Sequence, residues 1–377
     1  MKRFIVVPDS FKGTLSSTEV CDLIETEIKK VFTSSEVVKI PVADGGEGSV
    51  DAFLKASDGK KVFVEVTGPY FERVFAFYGL IDHGKTAVIE MAAAAGLPLV
   101  GEKKNPALTT TYGVGELILD AISQGVNKVV LGLGGSATND GGCGFAAALG
   151  VSFLNRQGEV FTPTGGTLSE IASVDLSTLN PKVHGIEFIT MCDIDNPLYG
   201  EEGAAFIFSP QKGAHPEMVK SLDENLRHLA KIVQRDIGFD EADFAGAGAA
   251  GGMGYGAKVF LSSKIQMGIE TVLDVLDFDR LAKDADVIIT GEGQLDAQSL
   301  RGKVVFGVAK RARNYPAKVV AVVGDCRGDQ ERYLKEGLDA IIVTNYQQLS
   351  FEQLKPRAKE DLVHTVSAYL YRLSVLH

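Results

Sequence analysis

The residues 129–150 read VVLGLGGSATNDGGCGFAAALG, an apolar strand that runs through a loop with almost no side-chain bulk into a small-residue helix. Five of the eleven positions 132–142 are glycine (Gly132, Gly134, Gly135, Gly141, Gly142). They permit positive φ and close backbone approach, so successive amide N–H groups can converge on an anion beside a helix N-terminus. Ser136, Thr138, Asn139 and Asp140 add hydroxyl, amide and carboxylate groups to that cradle. The same glycines could instead serve only the packing of a tight strand-to-helix turn.

A second constellation is acidic. CDIDNPLYG at 192–200 follows an apolar run that reads as a strand. In extended backbone Asp193 and Asp195 face the same way, which suits a Mg²⁺ site or a general base with its neighbour; the competing reading is an Asp-Asn-Pro turn. ADGGEG at 43–48 offers Asp44 and Glu47, able to hold Mg²⁺ through waters or to cap the next helix. PDSFKG at 8–13 puts Asp9, Ser10 and Lys12 in a loop after the first strand, where Lys12 is either a solvated charge or a ligand for phosphate or carboxylate. TGEGQLDAQS at 290–299 closes another strand with Glu292 and Asp296, and Lys303 opens the helix beyond it. Those three are expected at the same sheet edge as Asp9 and Lys12.

One string is a false lead. GLIDHGKT at 79–86 matches the GxxxxGK[ST] phosphate-loop pattern, but that motif needs a helix leaving from its Lys-Thr. Here DHGK has turn chemistry and TAVIEM is β-branched and alternating, so the string is expected to cap a hairpin, with Lys85 away from any phosphate. The segment 246–256 is glycine-dense without charge, fitting a nucleotide-facing backbone track, a hinge or close packing, but not catalysis. His184, His215 and His228 share no ligand spacing, so zinc is not indicated.

The elements that position these groups follow from periodicity. Short buried strands at 4–7 and 37–42, a capped amphipathic helix from Ser16 or Ser17, and a βαβαβ series of strands from 286, 318 and 339 belong to one parallel sheet. From Val62 the pattern becomes alternating, the mark of antiparallel strands. The expected division is a discontinuous doubly wound α/β domain of 1–75 plus 285–377, with a second α/β domain of 76–284 inserted and carrying the glycine-rich loop.

Composition sets the class. The 377 residues exceed what one core usually serves; 45% are hydrophobic and 23% charged, as in globular domains. A formal net charge of −11 disfavours nucleic acid and anionic membranes as partners, and it requires a phosphate site to be locally positive or built from amides. The four cysteines lack CxxC spacing and read as free thiols in a reducing compartment. No run has the length of a membrane span and the N-terminal apolar run is short for a signal peptide, so the expected location is cytoplasmic.

PDSFKG, ADGGEG, GGSATNDGG, CDIDNPL and TGEGQLDAQS, in that order over nearly the whole length, resemble the type I glycerate kinase family. The resemblance implies two α/β domains of Rossmann or flavodoxin-like character, one inserted in the other. It also implies ATP- and Mg²⁺-dependent phosphorylation of glycerate, most favourably to 2-phosphoglycerate. On this reading Gly134, Gly135, Ser136, Thr138 and Asp140 lie near the nucleotide phosphates. Asp193 and Asp195 serve as base and metal ligands in an order that spacing leaves open. Lys12, Ser10 and Lys303 are donors to carboxylate or phosphate, and Asp9, Asp44, Glu47, Glu292 and Asp296 line the substrate edge. Related kinases often carry arginine where this chain has Gln294. The partners are glycerate and ATP, in a monomer or homodimer; the rival reading is a nucleotide- or sugar-acid-binding protein without catalysis.

Overall fold

The computed structural model describes residues 2–42, 45–46 and 48–375. The chain divides into two compact units, Met1–Ala43 with Met267–His377, and Asp44–Gln266. The alternation reading put the crossings near residues 75 and 284, further along at both ends. The reason lies in the strands at 60–67 and 73–81, which pair with each other and extend the sheet of the second unit.

In the first unit β1 (Arg3–Pro8) and β2 (Glu36–Lys39) flank the helix Ser17–Val31. That helix begins with a capping box, in which Ser16 accepts from the amide of Glu19 and Glu19 accepts from the amide of Ser16. The second unit then contributes β3 (Lys60–Thr67), β4 (Arg73–Ile81), β5 (Thr86–Glu90), β6 (Lys128–Gly132), β7 (Ser152–Leu154), β8 (Val160–Phe161), β9 (Ser173–Asp175), β10 (Glu187–Met191) and β11 (Lys264–Gln266). The chain returns through β12 (Val287–Leu295), β13 (Lys318–Cys326) and β14 (Ala340–Val343).

The first unit holds one sheet ordered β14-β13-β12-β1-β2, with every pairing parallel. Numbered by appearance within the unit this is 2-1-3-4-5, the flavodoxin-like order, whose switch point lies between β1 and β12. Phe4, Ile5, Val6 and Val7 are all fully buried, as a central parallel strand requires. One core packs Phe4 and Val6 against Val20, Ile24 and Ile28 of the first helix and against Leu362, Val366 and Leu370 of the helix Ala358–Val375.

The second unit has a six-stranded sheet ordered β11-β10-β6-β5-β4-β3. β5, β6, β10 and β11 run parallel, while β4 is antiparallel to both its neighbours. The helix Tyr112–Ser123 is the β5 to β6 crossover and buries Val114, Leu117, Ile118 and Ala121 on the sheet. β7, β8 and β9 form a small separate antiparallel sheet. Between β4 and β5 a single turn at Asp82–Gly84 closes the hairpin, and β5 starts at Thr86 directly after Lys85. The phosphate-loop string is therefore a β-turn, without the helix that would aim amides at an anion.

Candidate functional site

At the C-terminal end of β6 the glycines act first by letting two backbones touch. A Cβ on Gly132 would sit 2.4 Å from the carbonyl of Gly45, and one on Gly134 would sit 2.3 Å from Cα of Gly46. Gly45 and Gly46 of the ADGGEG segment thus lie against the glycine-rich loop within the second unit. Asp44 and Glu47 themselves lie outside the described residues. The amide of Gly134 donates to Gly45 O at 2.9 Å, so this glycine provides close approach while its donor is already spent. Glu90, buried at the end of β5, accepts from the amide of Val50 at 2.6 Å and so caps the helix Ser49–Ala56.

The loop then runs beside residues 95–97. Leu97 N donates to Gly135 O and Ala137 N donates to Ala95 O, both at 2.9 Å. Among the described residues, the amides of Gly135, Ser136, Thr138 and Asn139 make no backbone hydrogen bond. These are the donors that the anion reading requires. Thr138 Oγ1 and both amide atoms of Asn139 are also buried without a partner.

Asp140 has another part than the one its sequence position suggested. It is fully buried, and its carboxylate accepts from Thr111 N and Thr111 Oγ1 at 2.8 Å, Gly142 N at 3.1 Å and Gly144 N at 3.2 Å. Burial pushes its carboxyl above the usual range, and these donors work against that shift. Held by Thr111, Gly142 and Gly144, Asp140 ties the loop and the start of the helix Cys143–Ala148 to the residues before the helix Tyr112–Ser123. The threonines at 109–111 do more than cap a helix. Thr111 Oγ1 accepts from Phe145 N at 2.9 Å, and Thr109 Oγ1 donates to Ala137 O at 2.9 Å.

The glycine-dense segment 246–256 is the packing partner of this loop. Ala250, Gly251 and Gly252 are successively left-handed, with φ of 55°, 69° and 88°. A Cβ on Gly251 would meet Thr138 O at 2.1 Å, and one on Gly256 would meet Gly141 O at 2.6 Å. Gly141 N donates to Gly251 O at 3.0 Å. Ala250 tolerates a conformation that costs an L-residue on the order of 1 kcal/mol. On the other side Lys212, only 2% exposed, donates from Nζ to Ser136 Oγ and to Thr138 O, both at 2.7 Å. Sequence reading passed over this lysine, which lies 76 and 74 residues from its partners.

β10 lies beside β6 with Met191 opposite Gly132, so its C-terminal end is next to the loop. Beyond it Asp193 and Asp195 are both exposed, while Ile194 between them packs on the core. The alternation expected from extended backbone is present. Cys192 is buried and its amide donates to Gln266 O, while Asn196 Nδ2 donates to Glu202 O and its carbonyl accepts from Gly248 N. Two exposed carboxylates of this kind are hard oxygen donors of the sort Mg²⁺ takes together with phosphate oxygens. Among the described residues no group of three or more His, Cys, Asp or Glu could hold a metal unaided.

The first unit has its own constellation at the switch point of its sheet. Asp9 N donates to Gly291 O at 2.8 Å, and Ser10 N donates to Asp9 Oδ1 at 2.6 Å. The TGEGQL segment is strand rather than loop, since Thr290 to Glu292 and then Gln294 and Leu295 stay in register with β13. Glu292 is consequently buried in the sheet. Burial pushes its carboxyl up to about 7; the charges of Asp9 and Asp296 add to this, and a Ser299 hydrogen bond and Lys303 oppose it. Asp296 is held below the usual range, chiefly by Gln294, whose Nε2 donates to it at 2.9 Å. Lys303 stands at the N-terminus of the helix Val304–Ala312, and Lys12 is exposed on its loop. Asp9, Asp296 and Lys303 are thus each close enough to Glu292 to act on its charge.

Comparison with known proteins places this geometry in a family. The sequence profile of the glycerate kinase family matches residues 4–373. A glycerate kinase from Haemophilus influenzae is 46% identical over 364 residues, 96% of each chain. The glycerate 2-kinase of Escherichia coli K12 is 42% identical over 340 residues, 90% of this chain and 89% of the relative. A crystal structure assigned as glycerate kinase 2 from Salmonella typhimurium LT2 superposes with a TM-score of 0.86 at 40% identity, covering 99% of this chain and 98% of that one.

Proposed function

The chain belongs to the glycerate kinase family, and from that premise we propose that it transfers the γ-phosphoryl group of ATP to the 2-hydroxyl of glycerate. The observation that carries the reading is the loop after β6. Its side-chain-poor backbone leaves the amides of Gly135, Ser136, Thr138 and Asn139 unspent among the described residues, and it ends beside a strand that delivers two exposed aspartates.

Phosphoryl transfer asks the protein for positioning and charge stabilisation more than for covalent chemistry. Here the loop amides and Ser136 receive the polyphosphate, in a chain whose net charge of −11 makes neutral dipoles the natural anion ligands. Asp193 and Asp195 are the residues that would hold Mg²⁺, which would supply charge neutralisation for the triphosphate. Asp193, standing first after β10, takes the proton of the attacking hydroxyl. In the first unit Ser10, Lys12 and Lys303 bind the carboxylate of glycerate, and Asp9, Glu292 and Asp296 orient its hydroxyl groups. Glu292 supports this assignment, because a carboxyl pushed up to about 7 can donate as well as accept at neutral pH.

The test is ADP release on mixing the protein with ATP, Mg²⁺ and glycerate. The expected result is turnover that disappears when glycerate is left out. Tight ATP binding with no glycerate-dependent ADP release would instead support a nucleotide-binding protein without catalysis.

A further inference from the structure

Lys212 inserts its ammonium group under the glycine-rich loop while being almost wholly buried itself. It follows the helix Ala204–Phe208 in a short turn, Pro210–Lys212, and its stem is buried to the 2% level. Its ammonium group has three N–H bonds. Two of them point into the loop, one to Ser136 Oγ and one to Thr138 O, each at 2.7 Å. Among the described residues it has no ion-pair partner, and Asp140, the buried carboxylate of the same loop, already accepts from Thr111, Gly142 and Gly144.

Stability does not account for such a group. Burying an ammonium ion without a paired carboxylate is costly, and an apolar side chain of similar shape is often at least as stable in that place. The cost shows in the lysine itself, whose pKa burial pushes down to about 7, with Asp140 acting in the opposite sense. A binding role accounts for it better. A cation behind a loop of amides acts on an anion most strongly in low dielectric, and a bound anion in turn favours the protonated form of the lysine.

We propose that Lys212 is a positioning residue for the polyphosphate: through Ser136 Oγ and Thr138 O it fixes the loop's free amides toward the anion, and its charge gives the loop its affinity for each added phosphate. This rests on the kinase reading above and assigns it a cation that the motifs do not contain.

The experiment measures dissociation constants of wild type, Lys212→Met, Lys212→Gln and Ser136→Ala for adenosine, AMP, ADP and ATP by calorimetry, with thermal melts on each variant. Lys212→Met is expected to weaken ATP roughly 10- to 100-fold, ADP less, AMP less again and adenosine not at all. In steady state KM for ATP should rise while KM for glycerate stays within about twofold. Lys212→Gln, which keeps a donor but no charge, should follow Lys212→Met. Ser136→Ala should show a smaller loss, and adding it to Lys212→Met should weaken ATP little further, since the two act as a unit. Should either Lys212 variant fail to fold, the other and Ser136→Ala carry the test. A loss equal for all four ligands, wild-type affinity in Lys212→Gln, or a lower melting temperature with unchanged ATP affinity would each overturn the proposal. A wild-type protein that binds no ATP and releases no ADP would instead overturn the kinase reading on which it rests.

Discussion

At the scale of single residues the two aspartates after β10 separate chemistry from structure. Asp193 is exposed, and Asp193→Asn should lower kcat far more than it lowers the melting temperature or nucleotide affinity. Removing a base or a metal ligand should lower kcat on the order of 100-fold or more. Steady-state kinetics at varied Mg²⁺ check this, with rescue at high Mg²⁺ marking a metal ligand and an unchanged kcat rejecting both roles. Glu292 gives a prediction about pH. Its carboxyl titrates near 7 in the fold against 4.5 as the ordinary value, so the folded state holds the extra proton between these limits. Stability therefore falls as pH rises through that window. Glu292→Gln carries no titrating proton, so melts at pH 5 and pH 8 should show the wild type losing ground to the variant at the higher pH. Residues of this kind differ in how legible they are. The shared exposure of Asp193 and Asp195 could be read from alternation, whereas the contacts of Lys212 and Thr111 could not, because their partners are distant in sequence and nothing local marks the contact. Asp140 looked like a ligand for the same reason that it braces the fold: an acid among glycines finds amides, and here they are those of Gly142, Gly144 and the distant Thr111.

At the scale of elements, backbone contact between glycines decides the site. Gly134→Ala would set a methyl carbon 2.3 Å from Gly46 Cα, a clash with backbone that cannot be relieved by rotating a side chain. A loss of about 1–3 kcal/mol is expected, with ATP affinity falling because the two loops must separate; urea denaturation and nucleotide titration check it. The contrasting element is the β4 to β5 turn. Lys85 is exposed there and followed at once by strand, so Lys85→Ala should keep both the melting temperature and kcat near wild type. Loss of ATP binding in that variant would contradict the hairpin assignment. Strand and helix positions were largely legible, since a short buried run or a capped 3.6-residue stripe is a local signal. β12 was cut short in the sequence reading because Gly291 and Gly293 look like loop residues. In the sheet a Cβ on Gly291 would lie 2.2 Å from Val322 O, so that glycine answers a close crossing of strands and marks no turn.

At the scale of the whole molecule the chain leaves its first sheet after β2 and returns at β12, which supplies the missing neighbour of β1. We propose that these are independent folding domains, one discontinuous and one continuous. Residues 45–266, which carry their own six-stranded sheet and core, should fold alone with a cooperative melt, while residues 2–42 alone should not. Circular dichroism of the two fragments checks this. That strands from both ends of the chain share one sheet was legible in their buried runs, but the place of departure was not, because β3 and β4 alternate like any exposed antiparallel pair and nothing in them names the sheet they join. The proposed kinase activity is decided by one product. With ATP, Mg²⁺ and glycerate, the proton and phosphorus NMR spectra should show 2-phosphoglycerate growing in step with ADP, and in Asp193→Asn it should grow on the order of 100-fold more slowly. ADP formed without any phosphoglycerate, or the 3-phosphate as the product, would contradict it.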